Sequence, residues 1–93
     1  MPSESRVRLV VSGRVQGVGF RYAARDAAGE IGVSGWVRNL PDGRVEIVAQ
    51  GTPAAVASMT AWAYRGPRHA SVDGVHVEDL EPSGGLRGFE IRR

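Results

Sequence analysis

The chain has 93 residues, 42% hydrophobic and 24% charged, with a net charge of +2, twelve arginines, no lysine and no cysteine. That length suits one small domain around a single core, and the small, dispersed charge gives no reason to expect a nucleic-acid partner. Without cysteine there are no disulfides, thiolate metal sites or cysteine nucleophiles; without lysine there is no Schiff base and no P-loop lysine.

Residues 1–5 are polar and show no secretory signal, so they are expected to be disordered, with residues 6–93 forming one domain. No apolar run is long enough to cross a bilayer, and a cytoplasmic location and a monomer are the default expectations. From Val7 to Ser12, apolar Val7, Leu9 and Val11 alternate with other residues, which predicts a half-buried strand. The run Gly13-Arg14-Val15-Gln16-Gly17-Val18-Gly19-Phe20-Arg21 comes next. From Arg21 to about Gly29, residues Phe20, Ala23, Ala24, Ala27 and Ile31 keep helical spacing, with Gly29 and Gly32 as stop signals. Gly35–Leu40 and Arg44–Gln50 read as two strands of a hairpin, joined by Leu40-Pro41-Asp42-Gly43, in which proline presets φ and glycine accepts a positive one. Val45, Ile47 and Ala49 face inward on the second of these strands.

Thr52 and Pro53 open a second helix as N-cap and first helical residue, with Val56, Met59, Trp62 and Ala63 as its apolar stripe and Gly66-Pro67 as its stop. Ser71 to Leu80 is a fourth strand, and Phe89 and Ile91 lie on a short fifth one. The order β-α-β-β-α-β plus a short strand predicts an α+β, ferredoxin-like split βαβ sandwich, with two helices on one face of a mostly antiparallel sheet. The strand–helix–strand crossover makes the first two strands parallel. Their carboxyl ends, which carry the Arg14–Phe20 loop and Asn39, then meet at one edge across the third strand.

The glycine loop carries the clearest chemistry. Its backbone N–H groups can curl inward into an anion-binding concavity, a helix start adds further N–H groups, and Arg21 adds a planar charged fork suited to phosphate. It is neither a Walker A motif, which needs lysine, nor a dinucleotide fingerprint, whose spacing it lacks. Taken alone, Gly17 and Gly19 also fit a plain strand-to-helix turn. Gln16 either braces the loop or touches a ligand. Asn39 is either a turn former or a neutral group that holds a water. His69 and His76 read as surface residues, and Glu78, Asp79 and Glu81 as solvated strand-edge charges without metal-ligand spacing. Trp36 and Trp62 read as core or near-core aromatics, and the third strand lacks the aromatics of an RNA-binding sheet. Arg14 and Arg38 either steer an anionic substrate or cover the sheet edge.

Val11-Ser12-Gly13-Arg14-Val15-Gln16-Gly17-Val18-Gly19-Phe20-Arg21 and Gly35-Trp36-Val37-Arg38-Asn39-Leu40-Pro41-Asp42-Gly43-Arg44-Val45, continuing to Gly51, resemble the acylphosphatase family. Agreement extends to the closing Gly88-Phe89-Glu90-Ile91. Gly19 falls at a position where the family tolerates several residue types, and Ile31 stands where leucine is more usual. The resemblance implies hydrolysis of a carboxyl–phosphate anhydride to carboxylate and inorganic phosphate, with no metal, no cofactor and no phosphoenzyme. It assigns phosphoryl binding to Arg21 and to backbone amides of the loop, here Val15, Gln16, Gly17, Val18, Gly19 and Phe20, and orientation of the attacking water to Asn39. Two other readings remain at this level: a module of the same fold that binds a phosphorylated metabolite without turnover, and an interaction domain like the acylphosphatase-like unit of hydrogenase-maturation proteins.

Overall fold

A computed structural model describes residues 4–84 and 86–93. Residues 1–3, the outer part of the stretch expected to be disordered, lie outside the described residues, while Ser5 already stands opposite Gly51 in a strand pair. The elements are β1 (Ser5–Arg14), α1 (Phe20–Ile31), β2 (Ser34–Asn39), β3 (Val45–Gly51), α2 (Pro53–Arg65), β4 (Ser71–Leu80) and β5 (Phe89–Ile91). The first helix runs past Gly29 and ends at Gly32, whose left-handed backbone (φ 94°) lets its N–H return to the Ala28 carbonyl. Gly29 therefore sits inside the helix, at a cost of about 1 kcal/mol relative to alanine.

The sheet order is β4-β1-β3-β2-β5. β3 pairs antiparallel with both β1 and β2, β4 pairs antiparallel with β1, and β5 alone is parallel, to β2. This is the expected ferredoxin-like α+β arrangement. β1 and β2 are parallel to each other with β3 between them, so their carboxyl ends share one edge.

Alternation decides which side chains each face holds. Val7, Leu9 and Val11 of β1, Val37 of β2, and Val45, Ile47 and Ala49 of β3 pack with Phe20, Ala24 and Ala28 of α1 and with Val56, Met59 and Ala63 of α2. Thr52 caps the second helix through a hydrogen bond from the Ala55 N–H to its hydroxyl, 3.1 Å long. Phe20 meets Trp62 edge to face, with ring centroids 5.3 Å apart. The opposite, helix-free face is also closed at its centre. Glu46, Val48 and Gln50 are all buried there, Glu46 being 3% exposed. Its carboxylate accepts hydrogen bonds from Arg8 and, at 2.6 Å, from the Arg38 Nε. Arg38 and Arg92 in turn lie over the Trp36 ring, 5.3 and 4.9 Å from its centroid. Trp36 is thus half-buried on the helix-free face, outside the main core, and Trp62 is half-buried against it.

Candidate active site

β1 does not run straight into the loop. Its pairing with β4 shifts register between Ser12 and Gly13. A β-bulge of this kind bends the strand and re-aims the residues beyond it. Only glycine fits at the bend. Gly13 has φ 119°, and a Cβ there would stand 2.2 Å from the Ser71 carbonyl oxygen and 2.7 Å from the Asp73 nitrogen.

The loop is anchored at both ends by buried apolar side chains, Val15 (1% exposed) and Phe20 (2% exposed). Between them the backbone alternates in handedness. Gly17 and Gly19 have φ of 73° and 77°, while Gln16 and Val18 keep negative φ. Such alternation turns successive N–H groups toward a common centre, the nest geometry that binds anions. Among the described residues, no backbone carbonyl accepts from the N–H groups of Gln16, Gly17, Val18, Gly19 or Phe20. Gly19 is also the N-cap of α1 in a left-handed conformation, and no side chain caps the helix. Its first turn holds no acidic residue. It holds Arg21 instead, a cation at the positive end of the helix dipole, which disfavours the helix by a few tenths of a kcal/mol to about 1. Arg21 pairs with no carboxylate among the described residues. Among the described residues, N–H groups without a carbonyl partner, a helix start without a side-chain cap and an arginine without a carboxylate partner thus follow one another in one short segment.

Asn39 closes β2 and faces Val45, which on its other side faces Val11 of β1. Asn39 and Val11 therefore stand in register, two strand spacings or about 10 Å apart, and β1 runs on to Arg14 along β4 before the loop begins. The link between them is direct. The Gln16 side-chain amide donates from Nε2 to the Leu40 carbonyl and to the Arg44 carbonyl, each at 2.9 Å. The turn it touches is closed by its own bonds as well, from the Leu40 N–H to the Arg44 carbonyl (2.8 Å) and from the Gly43 N–H to the Leu40 carbonyl (3.2 Å). Asp42 accepts from the Arg44 N–H and from the Arg44 Nε. These bonds, the backbone N–H first, hold the Asp42 carboxyl below its ordinary pKa.

Known proteins resemble this chain in sequence and in fold. The family model described as Acylphosphatase matches residues 7–91. The chain belongs to the acylphosphatase family. It is 60% identical over 87 residues to a protein named Acylphosphatase from Rubrobacter xylanophilus, covering 94% of this chain and 79% of that one. It is 55% identical over 92 residues to another from Anaeromyxobacter dehalogenans, covering 99% of each. Among solved structures it resembles the crystal structure of acylphosphatase from Bacillus subtilis, with a TM-score of 0.91 and 37% identity over 96% of this chain and 99% of that one.

Within this acylphosphatase-family fold, the residues singled out from sequence divide cleanly. Arg21, Asn39 and the loop from Val15 to Phe20 gather at one edge of the sheet. Arg38 does not join them, because Glu46 holds it on the helix-free face. His69 is exposed on the connection before β4, and His76 is exposed on β4 itself. A cleft lined by Asp26, Glu30, Trp62 and Arg65 lies between the two helices and contains none of the site residues. Two features were not legible in the sequence: the turn carbonyls of Leu40 and Arg44 as the seat of Gln16, and Glu46 as a buried carboxylate. Among the described residues, no helix is long and apolar enough to cross a membrane.

Proposed function

We propose that this member of the acylphosphatase family hydrolyses the carboxyl–phosphate anhydride of small acyl phosphates. Arg21 and the amides of Val15 to Phe20 bind the phosphoryl group, and Asn39 holds the attacking water in line with the leaving oxygen. One observation carries the reading. Among the described residues, a run of N–H groups without a carbonyl partner ends at an uncapped helix start beside an arginine without a carboxylate partner, in contact through Gln16 with the turn after Asn39. The water oxygen forms a new P–O bond while the bond from phosphorus to the acyl oxygen breaks. An acyl phosphate dianion and water give a carboxylate and dihydrogen phosphate, the water protons passing to phosphate oxygens.

The leaving carboxylate is weakly basic and needs no general acid. The protein's part is therefore positioning and stabilisation of charge on the equatorial oxygens. Loop amides and one guanidinium supply that stabilisation without metal, and the enzyme works as a monomer in the cytoplasm. The test is hydrolysis of benzoyl phosphate by the purified protein in EDTA. Rapid turnover supports the proposal. Folded protein that binds inorganic phosphate without turnover would instead identify a phosphate-binding module.

A further inference from the structure

We infer that Gln16 is a positioning residue, which fixes Asn39 relative to the phosphate loop. The inference rests on the water-holding role proposed for Asn39. The Gln16 amide nitrogen has two hydrogens, and the Leu40 and Arg44 carbonyls take both. No side-chain donor is left for a phosphoryl oxygen, so Gln16 meets the substrate through its backbone N–H alone. The turn does not need Gln16 in order to close. Its own backbone bonds and the Asp42–Arg44 contacts do that. The amide adds registration. It is a two-point tie between the loop that binds phosphate and the two ends of the turn that begins directly after Asn39. In-line attack depends on the relative placement of these two parts, and a displacement of about 1 Å costs on the order of 10²-fold in rate.

The experiment is a double-mutant cycle on the full chain with benzoyl phosphate, using Gln16→Met, Asn39→Ala and the pair. Inorganic phosphate as competitive inhibitor reports the binding pocket separately. Methionine keeps the side-chain length and removes the donors. The expected result is a fall in kcat of roughly 10- to 100-fold for Gln16→Met, with phosphate inhibition nearly unchanged. In the Asn39→Ala background the same substitution should cost almost nothing, because the group it positions is gone.

If Asn39→Ala is impaired and Gln16→Met lowers kcat equally in both backgrounds, or its effect falls on phosphate binding, the inference is overturned and the Asn39 reading stands. If Asn39→Ala turns over like the parent, the Asn39 reading fails and the inference falls with it. Should Gln16→Met not fold, Gln16→Glu serves in its place. Its carboxylate faces two carbonyls without a proton to donate, whereas the protonated acid supplies one hydrogen bond. Its kcat relative to the parent should therefore rise as pH falls from 8 to 5. A constant ratio overturns the positioning role.

Discussion

Replacing Glu46 by glutamine tests how far the helix-free face supports the fold. Glu46 is 3% exposed, and its carboxylate is held by two guanidiniums. A hydrogen bond to a charged group contributes about 1.5–3 kcal/mol, and breaking a fully buried ion pair costs about 3–5. The Arg8 and Arg38 side chains, however, are 34% and 43% exposed, so water takes over part of their solvation once the charge is gone. The expected loss is therefore about 2–3 kcal/mol, below the fully buried figure. For a domain of this size that corresponds to a fall in Tm of roughly 10–20 °C.

The pH dependence carries a definite sign. Burial pushes the Glu46 carboxyl up, but the hydrogen bonds from Arg8 and Arg38 and their charges pull it further down, leaving it below the ordinary value. A carboxyl depressed on folding contributes stability that is complete above its unfolded pKa, about 4.3, and that is lost as pH falls through the folded value. Urea unfolding followed by far-UV circular dichroism should show the full gap between parent and Glu46→Gln at pH 7. The gap should narrow progressively below about pH 4.5. A gap under about 0.5 kcal/mol at pH 7, the scale of an ordinary surface substitution, or one that widens on acidification, would refute the reasoning.

Arg21→Gln removes both the charge and the fork from the loop, and kcat for benzoyl phosphate should drop by at least ~10²–10³, the usual loss for one preorganised donor; an unchanged kcat would remove arginine from the phosphoryl site. Asn39→Ala should lower kcat more than it weakens inhibition by inorganic phosphate, and steady-state kinetics with both ligands separates the two effects. Gly13→Ala drives a Cβ to 2.2 Å from the Ser71 carbonyl oxygen, and should lower Tm by well over the ~4–8 °C that corresponds to 1 kcal/mol. A melting curve that overlays the parent's would mean that β4 moves aside freely. Thr52→Ala deletes the cap on the Ala55 N–H, and chemical denaturation should show a loss of about 0.5–2 kcal/mol with activity retained.

The glycine loop, the hairpin turn and the helix faces were legible in the sequence because each is local. Glycines at fixed offsets, Pro41-Asp42-Gly43 and alternating or helical apolar spacing all act within one turn or one strand. The shared edge of β1 and β2 was legible too, since crossover handedness restricts topology. The features that escaped depend on side chains reaching across strands. Alternation placed Glu46 away from the helices, but only the β1–β3–β2 register brings Arg8 and Arg38 over it and closes that face. Alternation around buried Val37 puts Trp36 on the helix-free face, and Arg38 together with Arg92, brought near by the parallel β2–β5 pairing, covers its ring there. Gln16 could not be assigned to brace or ligand until the turn carbonyls beside it were placed. Gly29 and Gly32 offered two helix ends, and the tertiary fit of Ile31 into the core favoured the later one.

The position of β1 has a consequence for how the chain acquires its activity. Leu9 faces Ile47 on one side and Val77 on the other, so β1, an interior strand, has no partner close to it in sequence. Only β2 and β3 form a local hairpin. Closing such distant pairs requires loop-closure entropy to be lost before contacts compensate for it, which places folding among the slower small domains. The loop after β1 takes its shape from a bulge against β4 and a tie to the β2–β3 turn. The N-terminal half emerging from the ribosome therefore carries the full glycine-loop sequence without its geometry. Catalytic competence should appear only in the last folding phase, once β4 has docked, and recovery of turnover during refolding should lag behind the hairpin and helix signals.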